Sequence, residues 1–292
     1  MQANLKRYKA AVLKAAVEGK LTEQWRKEHP YVEPADGFLK RILVERRAKW
    51  EAEELLKMKG VKPKNDSWRK KYKEPVAPDT TNLPELPQGW LWVRLDTIAA
   101  LKGGITVDNK RKDSTARPVA YLRVANVQRG HLNLTELKEI DAPQADIERL
   151  RLLFGDILFN EGGDRDKLGR GWIWEGQLAE CIHQNHVFRA RPFLKGESSK
   201  IISWWGNSFG KDYFLRVGKQ TTNLASINLS KLSEFPVPLP PEDEQHYIEA
   251  EVERCLSITE GLEVTVKTNL KRAERLRQAI LQQAFSGGLV QV

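Results

Sequence analysis

The chain has 292 residues, of which 40% are hydrophobic and 30% charged, so it is long enough for one or two domains with a buried core. A net charge of +9 favours a polyanionic partner, and apolar runs far shorter than a bilayer span exclude a membrane-spanning protein. Only Cys181 and Cys255 are present, which excludes a disulfide framework, and no secretory or lipidation signal follows Met1, so we expect a cytoplasmic protein.

The first predicted helix covers residues 4–21. Gly19 is placed to end it, because glycine readily adopts the left-handed conformation of a helix C-cap. The same pattern returns near the other end of the chain, where arginine, alanine, leucine and glycine positions of 7–21 recur at a constant offset in 275–289. This repeat predicts two related helices that pack together and hold a globular insert between them.

A charged segment that contains tryptophan follows at 22–82, with helical character from Pro34 to about Lys59. The stretch from Gly60 to Pro87 is rich in lysine, proline and aspartate and lacks apolar periodicity, which predicts a linker. Basic residues outnumber acidic ones in this N-terminal part, with 20 against 12 over residues 1–82. The basic excess is therefore greatest before the central domain.

The central part of the chain changes to short β-prone runs separated by turn residues, which predict an α+β fold with a strand-rich, mixed domain. The predicted units are 1–82, 83–241 and 242–292. The predicted strands are 91–93, 120–124, 156–159, 172–174, 186–189 and 226–229. The predicted helices of this domain are 145–151 and 199–214.

Beyond Pro241, apolar residues at steps of four and three predict one helix over 244–285, about 60 Å long. Its length indicates a spacer, and the constant offset aligns its apolar seam with that of the first helix. We expect the two to form an antiparallel coiled coil, within one chain or between two; the alternative is an amphipathic helix on its own domain. The expected pairing residues are Leu5, Tyr8, Val12, Ile248, Val252, Cys255, Leu262, Val266, Leu276 and Ile280.

Six motifs, in this order, resemble those of the specificity subunit of type I restriction-modification systems. They are Leu-Pro-Gln-Gly-Trp at 86–90, Gly-Asp-Ile-Leu-Phe-Asn at 155–160 with the glycine-rich stretch 161–165, Gln-Asn-His-Val-Phe-Arg at 184–189, Asn-Leu-Ser-Lys-Leu at 228–232, the proline-rich junction at 238–245, and Leu-Arg-Gln-Ala-Ile-Leu-Gln-Gln-Ala-Phe at 276–285. The resemblance covers nearly the whole chain, and it is carried by the order of the motifs together with the repeated helix end.

In that family each subunit carries two target recognition domains separated by two long antiparallel helices, and each domain reads half of a split DNA site. This chain has one such domain and resembles the second half of a full subunit. Whether it is a fragment, a split gene product or a half-subunit that dimerises is open. The resemblance implies a non-catalytic subunit that binds double-stranded DNA together with methyltransferase and restriction subunits. S-adenosylmethionine and ATP with Mg are then expected on those partners, and no cofactor on this chain.

Split-site reading requires phosphate anchors and side chains that reach base edges. The glycine-rich loop 160–171 and the polar run 219–223 are the main candidates, and basic loops after 101 and 122 are further ones; solvated loops and polar turns are the competing interpretation. The candidate DNA-binding residues are Lys102, Arg111, Lys112, Arg123, Asn126, Gln128, Arg129, Asn160, Arg165, Lys167, Arg170, Gln184, Asn185, Lys219, Gln220, Thr221, Thr222 and Asn223.

A metal site is weakly supported by the sequence. Cys181, His183 and His186 lie close together, but no second Cys/His pair completes a four-ligand zinc site. We therefore expect no metal on this chain and structural roles for the histidines.

Enzyme chemistry is also weakly supported. Glu136 and Lys138, with Asp108 or Asp113 upstream, match one fragment of a metal-dependent nuclease core, and such spacing occurs readily by chance. Neither a nucleotide-binding P-loop nor an amino-methyltransferase motif is present. The remaining alternative to DNA recognition is a helical scaffold that binds protein, with the basic charge serving solubility.

Overall fold

The computed structural model describes residues 2–58, 65–107, 114–163, 167–220 and 225–286. Several predicted positions lie outside the described residues, namely Asp108, Arg111, Lys112, Asp113, Arg165, Thr221, Thr222 and Asn223, and Gln220 is described by its backbone alone. Among the described residues, no helix combines the length and apolar composition that crossing a membrane requires.

Nine α-helices and one 3-10 helix occur in the described part of the chain. The helices are α1 Gln2–Val17, α2 Glu23–Glu28, α3 Ala35–Lys57, α4 Leu95–Ile98, α5 Gln144–Leu150, α6 Ser199–Ser208, α7 Gly210–Val217, α8 Leu229–Ser233 and α9 Glu242–Phe285, with the 3-10 helix η1 at Asp66–Lys71. The strands are β1 Leu91–Arg94, β2 Ala99–Lys102, β3 Ala116–Leu122, β4 Val127–Gln128, β5 His131–Leu132, β6 Lys138–Pro143, β7 Ile157–Asn160, β8 Gly162–Gly163, β9 Gly171–Ile173, β10 Ile182–His183, β11 Val187–Pro192, β12 Lys219–Gln220, β13 Ala225–Ser226 and β14 Pro236–Leu239.

The first helix ends as its glycine predicts, although a few residues earlier than position 21. Gly19 has a φ of 69°, and the backbone N–H groups of Gly19 and Lys20 donate to the carbonyls of Ala16 and Ala15 at 3.1 and 2.8 Å. These bonds satisfy carbonyls that the last turn would otherwise leave unpaired. The helix therefore ends at Val17.

The predicted linker from Gly60 to Pro87 contains one short 3-10 helix among its described residues, so that prediction is corrected at Asp66–Lys71. Trp68 of η1 is buried and stacks on Trp50 of α3 with ring centroids 5.8 Å apart. Tyr72 packs edge-on against the same Trp50 ring at 5.2 Å. Two aromatic side chains are enough to hold a segment on a helix, and they leave no periodic signal in the sequence.

A four-stranded antiparallel sheet in the order β2-β11-β7-β9 forms the centre of the strand-rich region. A second sheet, β10-β3-β6, is mixed, because β10 runs parallel to β3 and β6 runs antiparallel to it. β1 pairs with β14 from Leu91↔Leu239 to Arg94↔Pro236, so the first and last strands of this region lie side by side. One strand prediction needs correction: the strand predicted at 226–229 is only the two-residue β13, Ala225–Ser226. Asn228 instead caps α8, its Oδ1 accepting from Lys231 N at 2.9 Å.

Helix α6 covers one face of the central sheet. It begins at Ser198, whose Oγ accepts a hydrogen bond from the Ile201 backbone N–H at 3.1 Å, and it buries Trp204 and Trp205. The single helix predicted over 199–214 is in fact two helices, α6 and α7, with Phe209 between them.

One apolar core joins α1, α3 and α9 to the central sheet and α6. It contains Val12 of α1, Phe38 and Ile42 of α3, and Ile248 and Val252 of α9. Burying a side chain of this size contributes about 2 kcal/mol relative to leaving it in water. Because the core crosses the boundaries expected at 82/83 and 241/242, the division into three units stays a prediction.

Helix α9 has 44 residues and is about 66 Å long at 1.5 Å per residue. Helix α1 packs antiparallel against its first half, since Lys9 Nζ reaches Glu263 Oε2 at 3.0 Å while Thr22, just after α1, reaches Glu244. Every residue from 267 to 285 is exposed. The second half of α9 therefore projects from the rest of the described chain.

Candidate nucleic-acid interface

Several loops meet at one end of the central sheet, which we call the recognition end. Its described segments are 123–130, 160–163, 167–171, 184–187, 219–220 and 225–226. Strand pairing places two of these segments, 160–163 and 184–187, next to each other, because Asn160, the last residue of β7, is paired with Val187, the first residue of β11.

The opposite end of β11 leads towards the long helix. Phe193 N donates to Ile98 O at 3.0 Å just after β11, and Ser198 N then donates to Gln245 Oε1 of α9 at 2.8 Å. Because a six-residue strand is about 20 Å long, the recognition end and the base of α9 lie at opposite ends of the sheet.

The glycine-rich loop after β7 is tied to its neighbours by backbone contacts. Gly162 pairs with Ser226 of β13, and a Cβ at Gly162 would overlap the carbonyl oxygen of Ala225, so only glycine allows this approach. Lys219 is paired with the same Ser226 across β12 and β13. The two main candidate segments, which are far apart in sequence, are thereby brought together.

A second close approach joins the loop after β2 to the turn between β10 and β11. Ile105 N donates to His183 O at 2.8 Å, and Asn185 N donates to Ile105 O at 2.9 Å. A Cβ at Gly104 would overlap the carbonyls of His183 and Gln184. Glycine at position 104 therefore lets the two loops lie against each other.

The structure corrects two candidate base readers. Asn160 is buried, and its Nδ2 donates to Val127 O at 2.9 Å and to Val124 O at 3.3 Å. Asn126 is also buried; its Oδ1 accepts from Arg123 N at 3.0 Å and its Nδ2 donates to Asn133 O at 2.9 Å. Both amides hold loops in place and are turned away from solvent, so we remove them from the set that could contact DNA.

The other described candidates at the recognition end keep accessible side chains. Arg129 and Lys219 are exposed, and the guanidinium of Arg129 is held by Asn207 O. Half-buried candidates are Arg123, Gln128, Lys167, Arg170, Gln184 and Asn185. Lys102 lies on β2, beside this end. The set offers cations for phosphates and amides for base edges, which are the groups that DNA reading uses.

An acid and a histidine at the recognition end were absent from the predicted set. The Glu161 carboxylate contacts His186 Nδ1, and both side chains reach solvent. Sequence spacing does not show this pair, because Glu161 and His186 are 25 positions apart. The sequence predicted strands at 156–159 and 186–189, and their pairing, which the structure supplies, is what places the two residues together.

His183 has a structural role. It is buried, and its Nδ1 lies 2.6 Å from Val187 O. Burial, with smaller contributions from Arg189 and Arg191, lowers the pKa of His183 to about 3, so its ring is neutral at physiological pH. Among the described residues, no group of three or more His, Cys, Asp or Glu side chains has the geometry of a metal site.

The expected helix-pairing residues fall into two groups. Val12 lies with Ile248, Val252 and Cys255 in the core between α1 and α9. The others are more accessible to solvent: Leu5 and Val266 are half-buried, while Tyr8, Leu262, Leu276 and Ile280 are exposed. An apolar stripe thus continues along the projecting half of α9.

No protein-family model matches the chain. The specificity subunit of the type I restriction enzyme EcoKI, from Escherichia coli strain K12, is 23% identical over 287 residues, which are 98% of this chain and 50% of that protein. The EcoDI specificity subunit, also from Escherichia coli, is 24% identical over 294 residues, 98% of this chain and 54% of that protein.

The chain is a homologue of type I restriction-enzyme specificity subunits. This confirms the resemblance carried by the six motifs. The chain spans about half the length of the curated relatives it matches.

A solved structure supports the fold of this specificity-subunit homologue. It comes from a structural description of complex assembly and conformational transition of the type I R-M system. Its chain superposes with a TM-score of 0.53 at 21% identity and covers 87% of this chain and 57% of its own length. The α+β class and the long C-terminal helix are therefore confirmed.

Proposed function

We propose that this specificity-subunit homologue recognises one half of a bipartite DNA target and positions methyltransferase and restriction subunits on it. The observation that carries the proposal is the convergence of basic and amide side chains at the recognition end. The base of α9 lies at the opposite end of the sheet. Such an arrangement separates the surface for DNA from the surface for assembly.

The recognition end has the two kinds of group that sequence-specific binding needs. Exposed cations such as Arg129 and Lys219 neutralise phosphates, and the half-buried amides of Gln184 and Asn185 reach base edges. Rigid support matters for base reading, since a misplaced side chain cannot make a bidentate contact. Gly104 and Gly162 supply it here by letting backbones lie against each other.

The long helices serve in this proposal as the spacer and the assembly surface. The apolar stripe of α9 runs from Leu262 to Ile280 and continues along the projecting half. It pairs with the equivalent helices of a second recognition unit, which is either another copy of this chain or a different half-subunit. Seam residues at heptad spacing are suited to such pairing. The distance between two DNA half-sites is then defined by helix length.

The chemistry of modification and cleavage lies on partner subunits in this proposal. S-adenosylmethionine is bound by the methyltransferase subunit, and ATP with Mg by the restriction subunit. This chain is non-catalytic and binds no cofactor. Its contribution to the reaction is to choose the DNA sequence.

The test is a genome-wide methylation readout after coexpression of this chain with its cognate methyltransferase. We expect methylation at a bipartite motif, and a palindromic motif if two copies pair. Lys219→Ala should reduce methylation, whereas Lys195→Ala, which removes an exposed lysine in the loop after β11, at the end of the sheet opposite the recognition end, should not. Methylation that is absent, or independent of sequence, contradicts the proposal.

A further inference from the structure

Two cations face each other across the edge of the central sheet. Lys102 of β2 is the register partner of Arg189 of β11, so their side chains extend from the same face of the sheet. Like charges placed directly opposite in a strand pair destabilise the sheet. Sheet stability therefore does not explain why two cations occupy these paired positions.

Two further arginines lie at the same place, Arg149 at the C-terminal end of α5 and Arg191 on β11. Arg189 Nη1 and Arg191 Nη2 both donate to Arg151 O, which caps α5, at 3.2 and 2.9 Å. Arg149 lies in the last turn of the same helix. Four cationic side chains, Lys102, Arg149, Arg189 and Arg191, thus form one group, which we call the edge cluster.

The carboxylates nearby neutralise only half of the edge cluster. Asp156 accepts from Arg191 Nε and Nη2 at 2.7 and 2.8 Å, and Asp146 accepts from Arg149 at 2.7 Å. Within the described chain, neither Lys102 nor Arg189 forms an ion pair. The Arg189 side chain is buried, yet its Nε has no hydrogen-bond partner among the described residues.

The crowding is visible in the ionisation of the two unpaired cations. Burial, followed by Arg149 and Arg189, lowers the pKa of Lys102, and Glu53 of α3 opposes this only in part. Burial, followed by Arg191, lowers the pKa of Arg189 to about 10. With a pKa of about 10, Arg189 remains charged at neutral pH, and the lowered pKa of Lys102 shows that the neighbouring cations disfavour its charge.

We propose that the edge cluster is a phosphate site that holds a backbone phosphate of the DNA duplex beside the recognition end. Lys102 and Arg149, which reach solvent, contact the phosphate. Arg189 lies beneath them and adds its charge, and Arg191 is held in place by Asp156. This inference rests on the proposed function, and adds to it an anchor that carries no sequence information.

The position of the edge cluster agrees with this role. Lys102 lies two residues before Gly104, which contacts the turn at Gln184, so the cluster is about 7 Å along the strand from the recognition end. A duplex whose bases are read at that end passes its phosphates close to such a site.

A purely structural role explains only part of the edge cluster. Cations at the C-terminal end of α5 stabilise the helix through its dipole and its free carbonyls, which accounts for Arg189 and Arg191. It does not account for Lys102, which lies on a different element and adds repulsion. Lys102 is therefore the residue that distinguishes the two roles.

The experiment compares Lys102→Gln with Lys195→Gln in the full chain, since each removes one positive charge and the exposed Lys195 lies at the end of the sheet opposite the recognition end. Duplexes that carry the methylated motif and scrambled duplexes are titrated over a range of salt concentrations. Lys102→Gln should reduce the slope of log K against log salt by about 0.9, the value for one lost phosphate contact, and weaken binding to both duplexes by the same factor. Lys195→Gln should match the wild type. Thermal unfolding of Lys102→Gln should occur at or above the wild-type temperature, because a repulsion is removed.

The outcomes separate this inference from the proposed function. If the wild type prefers the motif duplex and Lys102→Gln keeps the full salt slope, the phosphate site is wrong and the proposed function stands. A changed preference between duplexes with an unchanged slope would make Lys102 a base reader and also overturn the inference. If the wild type does not distinguish the duplexes, the proposed function itself is wrong.

Discussion

The indole Nε1 of Trp90 donates a hydrogen bond of 2.7 Å to Glu244 Oε2, which joins the start of the strand-rich region to the first turn of α9. The other carboxylate oxygen of Glu244 accepts from Thr22 Oγ1 and Arg26 Nη1, both from the segment after α1. Glu244 is fully buried. One carboxylate therefore connects three parts of the chain that are distant in sequence.

Removing this carboxylate should destabilise the fold. Glu244→Ala leaves the buried Trp90 N–H without its acceptor and removes the ion-pair partner of Arg26. Among the described residues, Arg26 then keeps only Thr22 Oγ1 and Gly19 O as acceptors. Breaking a buried pair in this way costs about 3–5 kcal/mol. Urea unfolding followed by tryptophan fluorescence measures the change. Asp243→Ala is the matched control, because it removes an exposed acid from the same helical turn. A loss of equal size in both variants would show that helix-terminal charge, and not the connection, explains the effect.

Two adjacent glycines differ in what a methyl group would meet. A Cβ at Gly104 overlaps the carbonyls of His183 and Gln184, whereas a Cβ at Gly103 meets nothing within 4 Å. Gly104→Ala should therefore move the β2 loop away from the recognition end and weaken sequence-specific DNA binding. Gly103→Ala should bind as the wild type does. Fluorescence anisotropy with motif and scrambled duplexes measures both. Equal affinities of the two variants would show that the close contact between Gly104 and the turn at His183 and Gln184 is not needed for DNA binding.

The projecting half of α9 supports a prediction about assembly. Leu276 is 55% exposed, so Leu276→Lys should leave the fold of the single chain intact and disrupt helix pairing. Sedimentation velocity measures the assembly mass, and circular dichroism the helicity. Gln278→Lys places the same charge on the opposite side of the helix and should not change the mass. An unchanged assembly mass for Leu276→Lys, with the helicity retained, would count against the seam.

The buried carboxyl group of Glu197 should make the stability of the fold depend on pH. Burial raises its pKa from 4.5 to about 8, so the folded chain keeps a proton that the unfolded chain releases between these values. Its contribution to stability is therefore present below about pH 4.5 and is lost as the pH rises towards 8. Glu197→Gln has no proton to release and should unfold at a higher temperature than the wild type at pH 8, with the difference shrinking towards pH 5.

Calorimetry across this pH range checks the prediction. The exposed Glu175 supplies the control, since Glu175→Gln should give a profile parallel to that of the wild type. Parallel profiles for Glu197→Gln and the wild type would mean that the buried carboxyl does not hold this proton.

Local signals in the sequence determined the regular elements. The apolar spacing after Ile248 predicted α9, Gly19 predicted the end of α1, and β-prone runs predicted most strands of the central sheet. These features depend on neighbours a few residues away, which a sequence displays directly. The order of six motifs likewise carried the relationship to type I specificity subunits.

The tertiary structure alone decided which polar residues face solvent and which charges meet. Asn160 and Lys219 were both candidates in the sequence, yet the first is buried against Val127 O and the second is exposed. The Glu244 connection spans 222 positions to Thr22, and the Lys102–Arg189 pairing depends on strand register. Such contacts are made by residues distant in the chain, and their energies arise only when burial and register bring them together. Periodicity within one segment contains no information about them.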